Sequence, residues 1–207
     1  MSTAHDTLRR DAQENRDRIL AAARSVFDEE GLGASVDQIA RRAEVGVGTL
    51  YRRFETKEGL IDAILAEILT AIVDVGDVAL RITSPRDAFS EYLIASGEIQ
   101  ATHVGFLPRL WASKIEPERQ RIEENGRTIL ARAQTVGAVR HDVVYEDLVM
   151  VFLSLRGIIE STELIATGAW RRHLDLTLSA LMMDEIPLTR PPLTSSEVAA
   201  AKNLNAP

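Results

Sequence analysis

"VGVGTLYRRFETKEGL", Val45 to Leu60, decides how this chain is read. Gly46 and Gly48 resist helix formation, yet they lead into a segment whose Leu50 and Phe54 stand four residues apart, the spacing of one buried helical face. That spacing predicts a short helix from Val47 or Gly48 to Phe54, with Tyr51, Arg52 and Arg53 on its exposed faces. Toward the N-terminus, Ser35 and Gln38 stand in capping-box register, in which each side chain satisfies the other residue's free backbone N–H. A second helix is expected from there to about Ala43, with Ile39 and Ala40 inward. Toward the C-terminus, Thr56 caps a long helix carrying Leu60, Ile61, Ile64, Leu65, Ile68, Leu69 and Ile72. Two short helices joined by a tight turn make a helix-turn-helix candidate, whose second helix enters the DNA major groove by its N-terminal end.

The residue types on that second helix suit the task. Gly46 and Gly48 leave little side chain at its start, so backbone N–H groups and the positive end of the helix dipole can approach a phosphate or a base edge. Tyr51 can donate its hydroxyl to a phosphate, and Arg52 or Arg53 can bond bidentately to guanine or phosphate. Lys57, at the start of the next helix, is placed as a backbone clamp. The competing reading is a solvated basic face on an ordinary bundle. Cap, turn spacing, Tyr51 and Lys57 agree with one another, which favours DNA. Arg41 and Arg42 read more naturally as exposed charge than as base contacts, within reach of phosphate. "GVGTLY" is no dinucleotide fingerprint, because the third glycine and the preceding strand are missing.

The 207 residues are 45% hydrophobic and 27% charged, the balance of a globular chain with a sizeable core. The longest nearly unbroken apolar run, Leu148 to Leu155, falls far short of the roughly 20 residues that span a bilayer. A polar first thirty residues argues against a secretory leader, so a cytoplasmic protein without a membrane partner is expected. The absence of cysteine excludes disulfides, thiolate metal sites and cysteine nucleophiles. A net charge of -7 opposes phosphate binding at first sight, but its distribution is uneven. Gln38 to Lys57 carries +3, whereas residues 61–207 carry -6. Salt screens charges beyond about 10 Å, so a basic patch can act locally on an acidic body.

Helical periodicity continues nearly throughout, and no strand pattern of useful length occurs. A first helix carries Ile19, Leu20, Ala23, Val26 and Phe27 and stops at Gly31, after a flexible arm over 1–14. Ser84 and Pro85 open another, with Phe89, Tyr92 and Leu93 inward. Further helices are expected from about Glu116 to Val136, Tyr145 to Ala166 and Trp170 to Met183. The second of these is apolar on nearly every face and must be covered on more than one side. Pro187, Pro191 and Pro192 mark a weakly structured tail over 186–207. The fold expected is all-α, with about nine helices: a DNA-binding domain over 15–58 and a helical bundle over 59–185.

In the bundle, Phe89, Tyr92, His103, Phe106, Trp111, Phe152 and Arg156 are candidates for an apolar pocket with a few polar groups. Each alone is more often core. Arg156 and Glu160 also fit an intrahelical pair. His103, His141 and His173 lack metal-ligand spacing, and no acid, base or nucleophile constellation stands out, so neither metal, cofactor nor catalysis is expected. One helix-turn-helix reads too few bases for useful specificity, which calls for a twofold pair. Phe152, Ile159, Leu174, Leu178 and Leu181, on the last two helices, are the candidates for that homodimer interface.

"SVDQIARRAEVGVGTLYRRFETKEGL", Ser35 to Leu60, resembles the DNA-binding segment of the TetR family of bacterial transcription regulators, and "RILAAARSVFDEEGLGA" resembles that family's first helix. The likeness covers about Asn15 to Ile72; beyond it there is only length, helical pattern and "GAVRHDVVYEDL". The resemblance implies a ligand-responsive dimer in which Thr49, Tyr51 and Lys57 contact phosphates and Val47, Gly48 and Arg52 face bases. Ser35, Gln38, Arg42, Gly46 and Arg53 complete the candidate DNA-binding set. The chain departs from the family where Glu44 replaces a frequent turn glycine, Gly46 a frequent serine and Arg53 a frequent histidine. The expectation is a repressor that binds a palindromic operator and is released by a small apolar or amphipathic molecule. The alternative is an all-helical small-molecule-binding protein or enzyme without DNA binding.

Overall fold

The structure, a computed structural model, describes residues 4–113, 115–162, 165–182 and 188–204. Every regular element among them is helical: α1 (Ala4–Glu30), α2 (Val36–Arg42), α3 (Val47–Phe54), α4 (Lys57–Arg81), α5 (Pro85–Thr102), a 3-10 turn (Val104–Phe106), α6 (Leu107–Ala112), α7 (Glu118–Thr135), α8 (Tyr145–Thr162), α9 (Ala169–Leu181) and α10 (Ser195–Leu204). The chain divides into two compact units, Met1–Glu67 and Ile68–Pro207, and the division falls inside α4.

In the first unit, α1 and α2 pack on one another around Ile19, Leu20, Phe27, Ile39 and Ala40, and Leu50 and Phe54 of α3 close the same core. Leu60, Ile61, Ile64 and Leu65 of α4 are buried as well, and full burial of each large side chain is worth about 1.5–3 kcal/mol. Arg16 and Arg24 of α1 both pair with Glu67 of α4, Arg16 at 2.9 Å. Helix α1 starts ten residues before the expected end of the flexible arm. Residues 4–18 contain no Pro or Gly, and Gln13 bonds Asp17 at 2.8 Å across one turn, so nothing stops the helix there.

In the second unit, α5 lies against α7, α8 and α9. Asn125 of α7 donates to Asp77 at 2.9 Å and to the Val73 carbonyl at 3.3 Å, and Gly76 makes room for it: a Cβ there would stand 2.6 Å from Asn125 Nδ2. Arg132 donates to the carbonyls of Leu80 and Ile82 at 2.7 and 3.0 Å, satisfying free groups at the end of α4. The "GAVRHD" connection is stapled by Gln134, whose amide donates to the Arg140 and Val143 carbonyls at 2.9 Å each. Helix α8 is described as far as Thr162, residues 163–164 lie outside the described set, and Ala166, its expected end, sits in a bend. Leu164, Met183 and the junction at 185–187 lie outside the described residues.

The largest departure is at the C-terminus, where α10 replaces the weakly structured tail. Thr194 and Glu197 form a capping box: the Glu197 N–H donates to Thr194 Oγ1 at 3.3 Å, and the Thr194 N–H to Glu197 Oε2 at 2.8 Å. Val198 is buried, the helix packs on α6 and α8, and Ser195 donates to Glu146 at 2.8 Å.

Candidate nucleic-acid interface and ligand cavity

Helix α2, the turn over 43–46 and α3 adopt the helix-turn-helix order. The capping box forms as its register predicts, with the Ser35 N–H donating to Gln38 Oε1 at 2.8 Å and the Gln38 N–H to Ser35 Oγ at 3.3 Å. Ser35 and Gln38 thus spend their polar groups on the start of α2, and Gln38 also donates to Glu30. The turn closes through Val45, whose N–H donates to the Ala40 carbonyl at 3.0 Å. It requires Glu44 at a φ of 55°, the left-handed region that glycine occupies without strain. Gly46 is the N-cap of α3 and offers no side chain to it.

The outward surface of α3 carries Val47, Gly48, Thr49, Tyr51 and Arg52, all exposed or half-exposed. Gly48 has helical backbone and no atom within 4 Å of where a Cβ would sit. Arg52 has no ion pair among the described residues. Two other cations of the candidate set are committed within the unit. Arg42 is locked to α1 through Glu29 and Ser25, and Arg53 donates to the Ala12 carbonyl at 3.0 Å. Both arginines brace α1, and the 3.6-residue period that suggested outward faces could not reveal a partner 13 or 41 residues away. Lys57 is half-buried, its ammonium 5.8 Å from the centroid of the Phe27 ring.

The second unit encloses a cavity of about 270 Å³. Leu69 and Ile72 of α4, Leu110 and Trp111 of α6 and Val149 and Phe152 of α8 form apolar wall. Tyr92, Ser96 and Gln100, four residues apart on α5, lay a polar row along it. Arg119, Gln120 and Glu123 of α7, exposed Glu116 before it, Tyr145 of α8 and Lys202 of α10 complete the lining with Ile122. The Tyr92 ring meets Phe152 edge to face, centroids 6.2 Å apart. Burial raises the pKa of the Tyr92 hydroxyl and pushes that of Tyr145 up to about 12, so both stay neutral donors. Gly126 is what lets the two tyrosines approach α7: a Cβ there would stand 2.7 Å from Tyr145 Cε2 and 3.3 Å from the Tyr92 oxygen.

Of the seven candidate pocket residues, Tyr92, Trp111 and Phe152 line this cavity. Phe89 and Phe106 are fully buried core, and His103 is the C-cap of α5. Arg156 pairs with Glu160 at 2.8 Å, the intrahelical alternative. Ser96, Gln100, Arg119, Tyr145 and Lys202 were missed. For Ser96 and Gln100 the signal was present, since polar residues at i+4 and i+8 from inward-facing Tyr92 share its face. Lys202 required α10, and Thr194 with Glu197 announced that helix.

Of the dimer candidates, Ile159 and Leu174 are 0% and 1% exposed, Leu178 is buried, and Phe152 faces the cavity, so these side chains close the chain's own core. Only Leu181 is half-exposed. The helical period placed them on the apolar faces of α8 and α9, but two helices covered on more than one side do not reveal which face meets which neighbour.

Among the described residues, no helix is long and apolar enough to cross a membrane, and no group of three or more His, Cys, Asp or Glu side chains could hold a metal ion. Residues 19–64 match the profile of bacterial regulatory proteins of the tetR family, and residues 84–183 match that of the SbtR-like transcriptional regulator C-terminal domain. The HTH-type transcriptional regulator UidR of Escherichia coli K12 is 34% identical over 119 residues, 56% of this chain and 57% of that protein, so the match spans little more than half of this curated relative. A TetR transcriptional regulator from Streptomyces coelicolor is 34% identical, with a TM-score of 0.60 over 82% of this chain and 99% of the other. The TetR family regulator PfmR from Thermus thermophilus is 26% identical, with a TM-score of 0.64 over 78% of this chain and 97% of the other. With both units matched and a solved relative aligned along nearly its whole length, the chain belongs to the TetR family of bacterial DNA-binding transcription regulators.

Proposed function

We propose that the chain is a repressor that binds a palindromic operator as a homodimer, inserts α3 into the major groove, and is released when a small molecule occupies the cavity of the second unit. Gly48 carries the DNA part of this reading. A glycine inside a helix costs about 1 kcal/mol relative to alanine, and nothing in the chain lies close enough to need its missing side chain. The need then lies outside the chain, in a phosphate or base edge that must come close to the start of α3. Thr49 and Tyr51 serve as phosphate donors, Val47 and Arg52 face bases, and Lys57 clamps the backbone.

For the dimer, the outer faces of α8 and α9 replace the buried candidates. Leu176 is 58% exposed, Leu153 and Ile158 are half-exposed, and Gly157 between them has open space where a Cβ would sit, so a second helix can approach closely. Release follows by population shift, in which a ligand that prefers the dimer spacing unsuited to DNA weakens operator binding without any chemistry on the ligand. Helix α4 supplies Leu60 to the first unit and Leu69 and Ile72 to the cavity wall, which makes it the candidate lever.

The test is enrichment of bound duplexes from a random library by the full chain, followed by sedimentation of the protein alone. A repeated inverted half-site and a dimer at micromolar concentration support the proposal. Failure to enrich any sequence at low salt overturns the DNA reading, and a monomer overturns the twofold arrangement.

A further inference from the structure

The cavity of the second unit holds polar atoms that the fold leaves without partners. Ser96, Gln100 and Trp111 line the cavity, and Ser96 Oγ, Gln100 Oε1 and Trp111 Nε1 are buried without a hydrogen bond. Ser96 and Gln100 are 3% and 4% exposed, so solvent does not satisfy them. An unmade bond of this kind costs about 1–3 kcal/mol, which a ligand group in the cavity would recover.

The charges of the lining are equally incomplete. Arg119 and Lys202 are half-buried, and neither forms an ion pair among the described residues. Arg119 donates only to the Leu110 carbonyl, at 3.2 Å, and the Lys202 ammonium stands 5.7 Å from the centroid of the Trp111 ring. Burial lowers the pKa of both, and each Lys202 proton is further disfavoured by Arg119. The acidic groups of the lining form no ion pair with either cation among the described residues. Glu123 is engaged by Arg127 at 2.9 Å, and Glu116 is exposed. Glu116 acts on Arg119, and Glu123 and Glu146 on Lys202, without closing to an ion pair, so two cations and an indole N–H stand beside apolar wall with no anion bonded to them.

We propose that the cavity takes an amphipathic carboxylate, its anionic group held by Arg119, Lys202 and Trp111 and its apolar body lying against Ile72, Val149 and Phe152. A single negative charge fits better than two, because Glu116 and Glu123 border the same space and already offset part of the positive charge of Arg119 and Lys202. A volume of about 270 Å³ suits a short aryl or medium-length alkyl chain. This assignment rests on the reading of the cavity as the effector site. It adds a role for α10, which brings Lys202 to the lining and so makes the C-terminal segment part of the binding site.

Trp111 lines the cavity, so its fluorescence reports occupancy of the full chain. Titrations with 4-phenylbutanoate, 4-phenylbutanamide, 4-phenylbutylammonium and 4-phenylbutyl phosphate compare one apolar body with four headgroups. The carboxylate should bind at least about tenfold more tightly than the amide, as charge-assisted bonds are worth more than neutral ones. The ammonium and the phosphate should bind more weakly than the carboxylate. Lys202→Met should reduce the carboxylate preference to about threefold or less, and Lys202→Arg should retain most of it. Equal or tighter binding of any other headgroup, saturation by none at millimolar concentration, or an undiminished preference in a folded Lys202→Met protein overturns the proposal. Operator retention by the unliganded protein separates the two claims. DNA binding without the headgroup preference removes this proposal alone, and the preference without DNA binding removes the regulator reading alone.

Discussion

Arg42 donates to both carboxylate oxygens of Glu29, at 2.8 Å each, and its Nη1 also reaches Ser25 Oγ at 2.6 Å. A guanidinium held in this fork is a brace between α2 and α1 rather than a free phosphate ligand. Glu29→Gln breaks the fork and removes one negative charge near the candidate interface. DNA affinity should rise, and the log–log salt slope should steepen by about 1 for each phosphate the freed Arg42 neutralises. Fluorescence anisotropy over a salt series measures both. An unchanged slope shows that Arg42 finds no phosphate when released.

The same pair sets an acid response. Arg42 and then Ser25 hold the Glu29 carboxyl down to about 2, from an ordinary value of 4.5. A depressed folded-state pKa stabilises above the unfolded value and loses that contribution as pH falls from about 4.5 to about 2. Between pH 5 and pH 3 the wild type should lose more thermal stability than Glu29→Gln. The pair is solvent-exposed, so the difference should be small.

Gly48→Ala separates folding from binding. The added methyl meets open space and improves helix propensity, so stability should rise by about 1 kcal/mol. Operator affinity should fall about tenfold or more as the methyl holds the backbone off the DNA. A stabilised variant with unchanged affinity contradicts the close approach assigned to the start of α3.

Glu44 tests the turn itself. Its φ of 55° places a side chain where glycine is favoured, which costs on the order of 1 kcal/mol. Glu44→Gly should raise the urea midpoint by the equivalent of about 0.5–1 kcal/mol, and losing a negative charge between α2 and α3 should not weaken DNA binding. A lower midpoint shows that the Glu44 side chain contributes more than its backbone strain costs.

Local signals carried the first unit. The capping box of Ser35 and Gln38, the cap at Thr56 and the Leu50–Phe54 spacing each depend on residues within four positions, which a sequence displays directly. The resemblance then supplied a family whose profile matches residues 19–64. Interactions across helices were not legible in the same way. Arg42 and Arg53 looked free because their partners lie on α1, and Ile159 and Leu174 looked like interface because an apolar face does not name its neighbour. The cavity was legible only in part, since Tyr92, Trp111 and Phe152 stood out as aromatics while the polar row of Ser96 and Gln100 did not. Pro187, Pro191 and Pro192 point to a loose tail and so mask the cap at Thr194 that opens α10.

Gly97 of α5 tests whether the bundle's packing is as tight as its geometry implies. A Cβ at this position would stand 2.6 Å from Trp170 Cζ3, and Trp170 is 1% exposed with Arg171 stacked 4.7 Å from its ring centroid. The ring has little room to retreat, and Arg171 also bonds both oxygens of Glu98 at 2.6 Å, fixing α9 to α5 at the next residue. Gly97→Ala should therefore destabilise the protein by about 1–3 kcal/mol despite its better helix propensity, because overpacking outweighs the propensity gain. Denaturant unfolding followed by tryptophan fluorescence measures the loss. Since Ser96 and Gln100 project from the same helix, a displaced α5 should also weaken binding in the cavity, whereas a neutral or stabilising Gly97→Ala shows that α9 can yield at Trp170 without cost.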